Sequence, residues 1–115
     1  MATVLVAISD LMFSSKVSAA ARGLGVQYER AARGAPLASE VARTAATRVL
    51  LELGASPSVL EAVAAVRQQH PNVEIVGFCS HTLVDLIERA RRAGCDRVLT
   101  QGELAGQLND LLGRP

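Results

Sequence analysis

The feature that most constrains this sequence is an alternation. Strand-sized apolar runs are separated by segments whose apolar residues fall at helical spacing, and the unit repeats at roughly 22 to 25 residues. Val4-Leu5-Val6-Ala7-Ile8 is apolar at every position, the pattern of a strand buried on both faces. Val17, Ala20, Ala21 and Leu24 then recur at i, i+3, i+4 and i+7, a single helical stripe, with Gly23 and Gly25 as the expected stop. Strands that follow one another through helices pair in parallel by right-handed crossovers. The repeat therefore predicts a parallel sheet covered on both faces.

The rest of the chain continues the pattern. Val26 to Ala32 is more polar and suits an edge strand. Gly34-Ala35-Pro36 breaks the chain, and Leu37 to Ala46 predicts a short helix entered near the proline. Arg48 to Leu53 reads as a central strand closed by Gly54. Ser56 and Pro57 predict an N-cap and a first helical residue, with Val59, Leu60, Val63 and Val66 on the buried side of a helix ending near His70-Pro71. Val73 to Phe78 is the next strand, Gly77 permits a close approach near its end, and Cys79-Ser80-His81 is a loop. Thr82 and Asp85 form a capping-box-like pair ahead of a Leu83, Leu86, Ile87, Ala90 stripe. Asp85 to Arg89 and Glu88 to Arg92 are acid-before-base pairs on a solvated face. Gly94 stops that helix, Arg97 to Thr100 is a short last strand, and Leu104, Leu108, Leu111 and Leu112 line the final helix.

Five such units in 115 residues make one α/β domain with one site. A polar second strand beside apolar ones fits a flavodoxin-like (βα)5 three-layer sandwich with sheet order 2-1-3-4-5. In that order ligands and chemistry gather at the carboxyl ends of the strands, near the switch point between the first and third. The residues there are Ser9, Asp10, Glu52, Cys79, Ser80, His81, Thr100 and Gln101.

Composition narrows the function classes. Twelve Lys plus Arg against eleven Asp plus Glu leave a charge of +1, no basic block stands out, and one Tyr, two Phe and no Trp supply no stacking platform. Nucleic acid is not an expected partner. The apolar runs are too short to span a bilayer and no signal-peptide pattern opens the chain, so a cytoplasmic protein without membrane contact is expected. Cys79 and Cys95 lie apart without a CxxC pair and read as reduced thiols.

At these positions the chain resembles the receiver domain of bacterial response regulators, over essentially its whole length. The likeness rests on Ser9-Asp10 after the first strand, Glu52 after the third, Cys79-Ser80 after the fourth, and Ala93-Gly94 before the last. Receivers carry an acidic pair, a phosphoacceptor aspartate, a Ser or Thr and a lysine at the ends of those strands. By that resemblance Asp10 matches one member of the acidic pair and Ser9 the other. Glu52 stands at the phosphoacceptor position, Cys79 or Ser80 at the Ser/Thr, and Thr100 or Gln101 at the lysine. A neutral Thr or Gln cannot fill the lysine's electrostatic role. Glu52 sets its carboxylate one methylene further out, which disturbs in-line attack, and one acid after the first strand weakens a Mg²⁺ site.

Each residue carries a plainer reading as well. Asp10 and Glu52 are either a residual acidic pocket with weak Mg²⁺ affinity or two solvated strand-end carboxylates, Asp10 also capping the first helix. Ser80-His81 lacks a nucleophile elbow, so His81 reads as a cap or surface contact. Cys79 reads as a small buried apolar residue before a redox thiol. His70 reads as a helix end. By resemblance, the fourth helix, last strand and last helix offer an interaction surface, with Arg89, Arg92, Arg97, Glu103 and Gln107 able to pair across a two-fold axis.

These readings converge on a non-enzymatic pseudo-receiver that binds a protein partner, or itself as a homodimer, without conventional aspartyl phosphorylation and without a cofactor. The alternatives are an active phosphoacceptor using Glu52 or Ser80 with Mg²⁺ at Asp10, and a small-molecule binder of flavodoxin-like fold. The scarcity of aromatics and of a phosphate-cradling loop counts against the last.

Overall fold

The computed structural model describes residues 3–32, 34–55 and 58–113, and five strands alternate with five α-helices along them. In chain order these are β1 (Thr3–Ala7), α1 (Leu11–Leu24), β2 (Gln27–Arg30), α2 (Leu37–Thr44), β3 (Arg48–Glu52), α3 (Val59–Gln69), β4 (Glu74–Cys79), α4 (Val84–Ala93), β5 (Arg97–Thr100) and α5 (Gln101–Gly113), with one 3₁₀ turn (Leu53–Ala55) after β3. All pairings are parallel and the order is β2-β1-β3-β4-β5, the flavodoxin-like arrangement. The polar β2 is an edge strand, as its sequence requires.

The uninterrupted apolar runs are explained by two cores, one on each face of the sheet. Leu5, Val49, Leu51 and Ile75 point to one face, where Val41, Val63, Val66 and Ala90 come from α2, α3 and α4. Val4, Val6, Leu50, Val76 and Phe78 point to the other, against Phe13, Val17 and Ala21 of α1 and the four leucines of α5. Alternation along the pleat divides each run between the two layers.

Several local expectations change in the fold. Gly23 lies inside α1. Only Gly25 stops it, at φ 70° with its N–H reaching Ala21 O and Arg22 O. Leu24 leaves the stripe, 44% exposed, while Phe13 and Ser14 turn inward about three turns earlier. Leu53 is not the end of a strand: the chain curls into the 3₁₀ turn and drops the side chain beneath β4, where it is 1% exposed. A Cβ at Gly77 would lie 2.9 Å from three Leu53 carbons, so the close approach expected there is made by a side chain. The Thr82–Asp85 box does not form. α4 starts at Val84, and Thr82 Oγ1 lies 3.0 Å from Ser80 Oγ instead. The expected cap of α3 at Ser56-Pro57 falls outside the described residues.

Polar ties complete the layers. His70 is more than a helix end, since its Nε2 lies 3.0 Å from Ala38 O and joins α3 to α2. Arg67 donates to the carbonyls of Gly94, Pro71 and Val73 and to Asp96 Oδ2, which also accepts the Ile75 N–H at 2.7 Å. One guanidinium thus fastens the end of α3 to the entries of β4 and β5.

Candidate functional site

The carboxyl edge of the sheet is built around the β1–α1 turn. Asp10 Oδ1 accepts the Phe13 N–H at 3.1 Å, so Asp10 is the N-cap of α1, as its position predicts. Glu52, the last residue of β3, reaches across to the same turn. Its Oε1 accepts Ser9 N at 3.0 Å, Ser9 Oγ at 3.0 Å and Asp10 N at 3.3 Å. Ser9, Asp10 and Glu52 are therefore brought together, with the Asp10 carboxylate capping α1 and the Glu52 carboxylate bonded to the turn.

Mg²⁺ is bound through one or two carboxylates, with water completing its octahedron. Here Oε1 of Glu52 is taken by three donors and Oδ1 of Asp10 by one. Among the described residues no group of three or more acidic, His or Cys side chains is placed to hold a metal ion.

The other residues expected at this edge sit at the ends of β4 and β5. Cys79 is the last residue of β4, in register with Thr100, and is buried; burial pushes its thiol up from 9.0. Cys95 is buried too, and burial followed by the nearby Asp96 pushes its thiol up to about 11. Cys79 is thus a small buried residue, as its plainer reading expects. Ser80 is exposed beyond the strand, so the accessible hydroxyl is that of Ser80. His81 is exposed in the following turn.

Thr100 and Glu103 form a reciprocal capping box at α5, a pairing the sequence reading missed. Thr100 Oγ1 accepts Glu103 N at 3.1 Å, and Glu103 Oε1 accepts Thr100 N at 2.9 Å. The signal was legible in Thr100-Gln101-Gly102-Glu103. Glu103 is thereby engaged at the helix start while remaining exposed, and Gln101 is the exposed first residue of α5. Arg89 and Arg92 are exposed and pair with Asp85 at 3.7 Å and Glu88 at 3.6 Å, as the spacing predicts. Arg97 is exposed at the start of β5, and Gln107 is half-buried on α5.

A cleft of about 630 Å³ opens beside this unit, between the β1–α1 turn, the segment entering α2, and the start of α3. Ile8, Leu11, Pro36, Leu37, Leu51 and Val59 give it apolar walls, and Ser9, Arg30, Glu52 and Ser58 its polar side chains. It lies at the switch point between β1 and β3, where sheets of this order collect ligands. Cys79, Ser80, Thr100 and Gln101 do not line it, and among the described residues no aromatic side chain does.

No protein-family model matches the chain, and no curated protein matches its sequence. Solved structures match its fold over nearly the whole length. The chemotaxis protein CheY4 of Vibrio cholerae aligns with a TM-score of 0.80 at 20% identity, covering 97% of this chain and 96% of its own. The receiver domain of NtrX from Brucella abortus gives 0.79 at 18% identity, with 94% and 92% covered. The CheY-like protein tadZ of Pseudomonas aeruginosa PAO1 gives 0.79 at 20%, with 96% of each chain covered. At such identities the likeness establishes the fold, and the fold is that of CheY-like receiver domains.

Proposed function

Proceeding from the receiver fold, we propose that the chain is a pseudo-receiver, a non-enzymatic signalling and protein-interaction module that works without aspartyl phosphorylation. The carrying observation is the engagement of Glu52 Oε1 by Ser9 and Asp10. A carboxylate that is one methylene longer than aspartate and held against the β1–α1 turn is poorly placed for in-line attack, where positioning supplies most of the catalysis. A further observation supports the reading: Thr100 is tied into a helix cap where receivers have lysine. No helix among the described residues is long and apolar enough to cross a membrane. Arg89, Arg92, Arg97 and Gln107, on α4, β5 and α5, are the surface offered to a partner or to a second copy.

Intact mass and melting temperature, measured with Mg²⁺ and a small phosphodonor or beryllofluoride beside a Glu52→Gln variant, test this directly. No mass gain and no shift in either protein is the expected result. A phosphoryl group gained by the wild type and lost in the variant overturns it in favour of an active phosphoacceptor at Glu52; retention in the variant points to Ser80. The apolar cleft favours one second reading, small-molecule binding, which a ligand-dependent thermal shift in the absence of Mg²⁺ would reveal.

A further inference from the structure

Three donors from one turn meet a single carboxylate oxygen that arrives from another strand. Glu52 Oε1 spans 43 positions of sequence to reach Ser9 N and Ser9 Oγ, both at 3.0 Å, and Asp10 N lies 3.3 Å away. The turn it holds leads into Leu11 and Met12, 72% and 79% exposed, and then into Phe13, which is buried and stacked on Phe78 with ring centroids 5.0 Å apart. Asp10 Oδ1 fixes the inner amide, that of Phe13, while Glu52 fixes the two outer ones.

We propose that Glu52 is a length-specific internal latch. It sets the β1–α1 turn in one conformation and, with it, the mouth of the cleft that Ser9, Leu11 and Glu52 share. The sheet edge reaches its working shape with no bound cation or phosphoryl group. The chemistry is that of charge-assisted hydrogen bonds at the positive end of a helix, where an anion is favoured. Reach is the second requirement. β1 and β3 are in register from Val4 opposite Arg48 to Ala7 opposite Leu51, so Glu52 starts one residue beyond the last pair and must extend sideways to the turn. Aspartate stops one methylene short; glutamine keeps the reach and an acceptor oxygen but gives up the charge.

Amide hydrogen exchange by NMR on the full chain reads the latch. Glu52→Ala and Glu52→Asp should each speed exchange at Ser9 and Asp10 roughly tenfold or more, the factor expected for losing a charge-assisted bond. Glu52→Gln should speed it less than Glu52→Asp. Leu50 and Val76, fully buried in the sheet, serve as folding controls and should keep their protection. Unchanged rates at Ser9 and Asp10 in Glu52→Ala overturn the latch. So does an aspartate variant slower than the glutamine variant, because charge alone would then suffice; that ranking decides the matter even if the alanine variant fails to fold. The inference rests on reading this edge as the working one. Failure of the pseudo-receiver reading would show as a mass gain with phosphodonor, which leaves the exchange ranking untouched.

Discussion

Leu53 and Gly77 share one space. Leu53 is 1% exposed, and a Cβ on Gly77 would stand 2.9 Å from its Cγ and both Cδ atoms. Because the contact is with the branch point of a packed side chain, it cannot be relieved by swinging a flexible end away. Gly77→Ala is expected to cost about 1 to 3 kcal/mol in urea denaturation, and to cost less when made in a Leu53→Ala background, where the colliding carbons are gone. Glu40 offers a different residue-level test. It is 5% exposed, and the Arg43 guanidinium, then the Ala32 N–H, hold its carboxyl below its ordinary value of 4.5. A group whose folded value is depressed contributes stability that is complete above the unfolded value and is lost as pH falls through the folded one. The stability gap between the wild type and Glu40→Gln should therefore be widest near neutrality and should close as the pH drops below about 4.5. A gap that stays constant down to about pH 3 would show that Glu40 is not so held.

At the scale of elements, legibility followed the length and regularity of the pattern. β5 was bounded correctly at Arg97 to Thr100 and α5 by its four leucines, because both carry unbroken signals. The starts of helices were harder. Thr82 and Asp85 have the spacing of a capping box but no box, since Thr82 Oγ1 is drawn to Ser80 and the helix begins later. Thr100 and Glu103 have the same spacing and do form one. What separates the two is where the preceding strand releases the chain. β5 hands directly to α5 at Gln101, while residues 80–83 intervene between β4 and α4. Thr100→Ala should accordingly lower stability by roughly 1 kcal/mol by removing an N-cap acceptor. Thr82→Ala should change it by no more than a few tenths. Equal losses in thermal melts would contradict the assignment.

The whole molecule is two cores back to back on one sheet. Ile75 belongs to the face under α2, α3 and α4, and Leu104 to the face under α1 and α5; both are fully buried. Leu104→Ala is expected to cost about 2 to 5 kcal/mol and Ile75→Val about 0.5 to 1.5. Since every central strand serves both layers, the variants should lower one shared unfolding transition and their effects should add. Two separate transitions would mean that the faces melt independently. The sequence by itself determined the number and type of the elements, the edge position of β2, the parallel sheet and the buried faces, because periodicity and burial are properties of neighbouring residues. It also placed Asp10 as a helix cap and collected the strand-end residues on one edge. Only the tertiary structure decided that Glu52 is engaged by Ser9 and Asp10, that Arg67 binds the leads into β4 and β5, and that the cleft lies beside Glu52 and away from Ser80 and Thr100. Those are distances between residues tens of positions apart, set by register and by how far a side chain extends, and no local pattern encodes them.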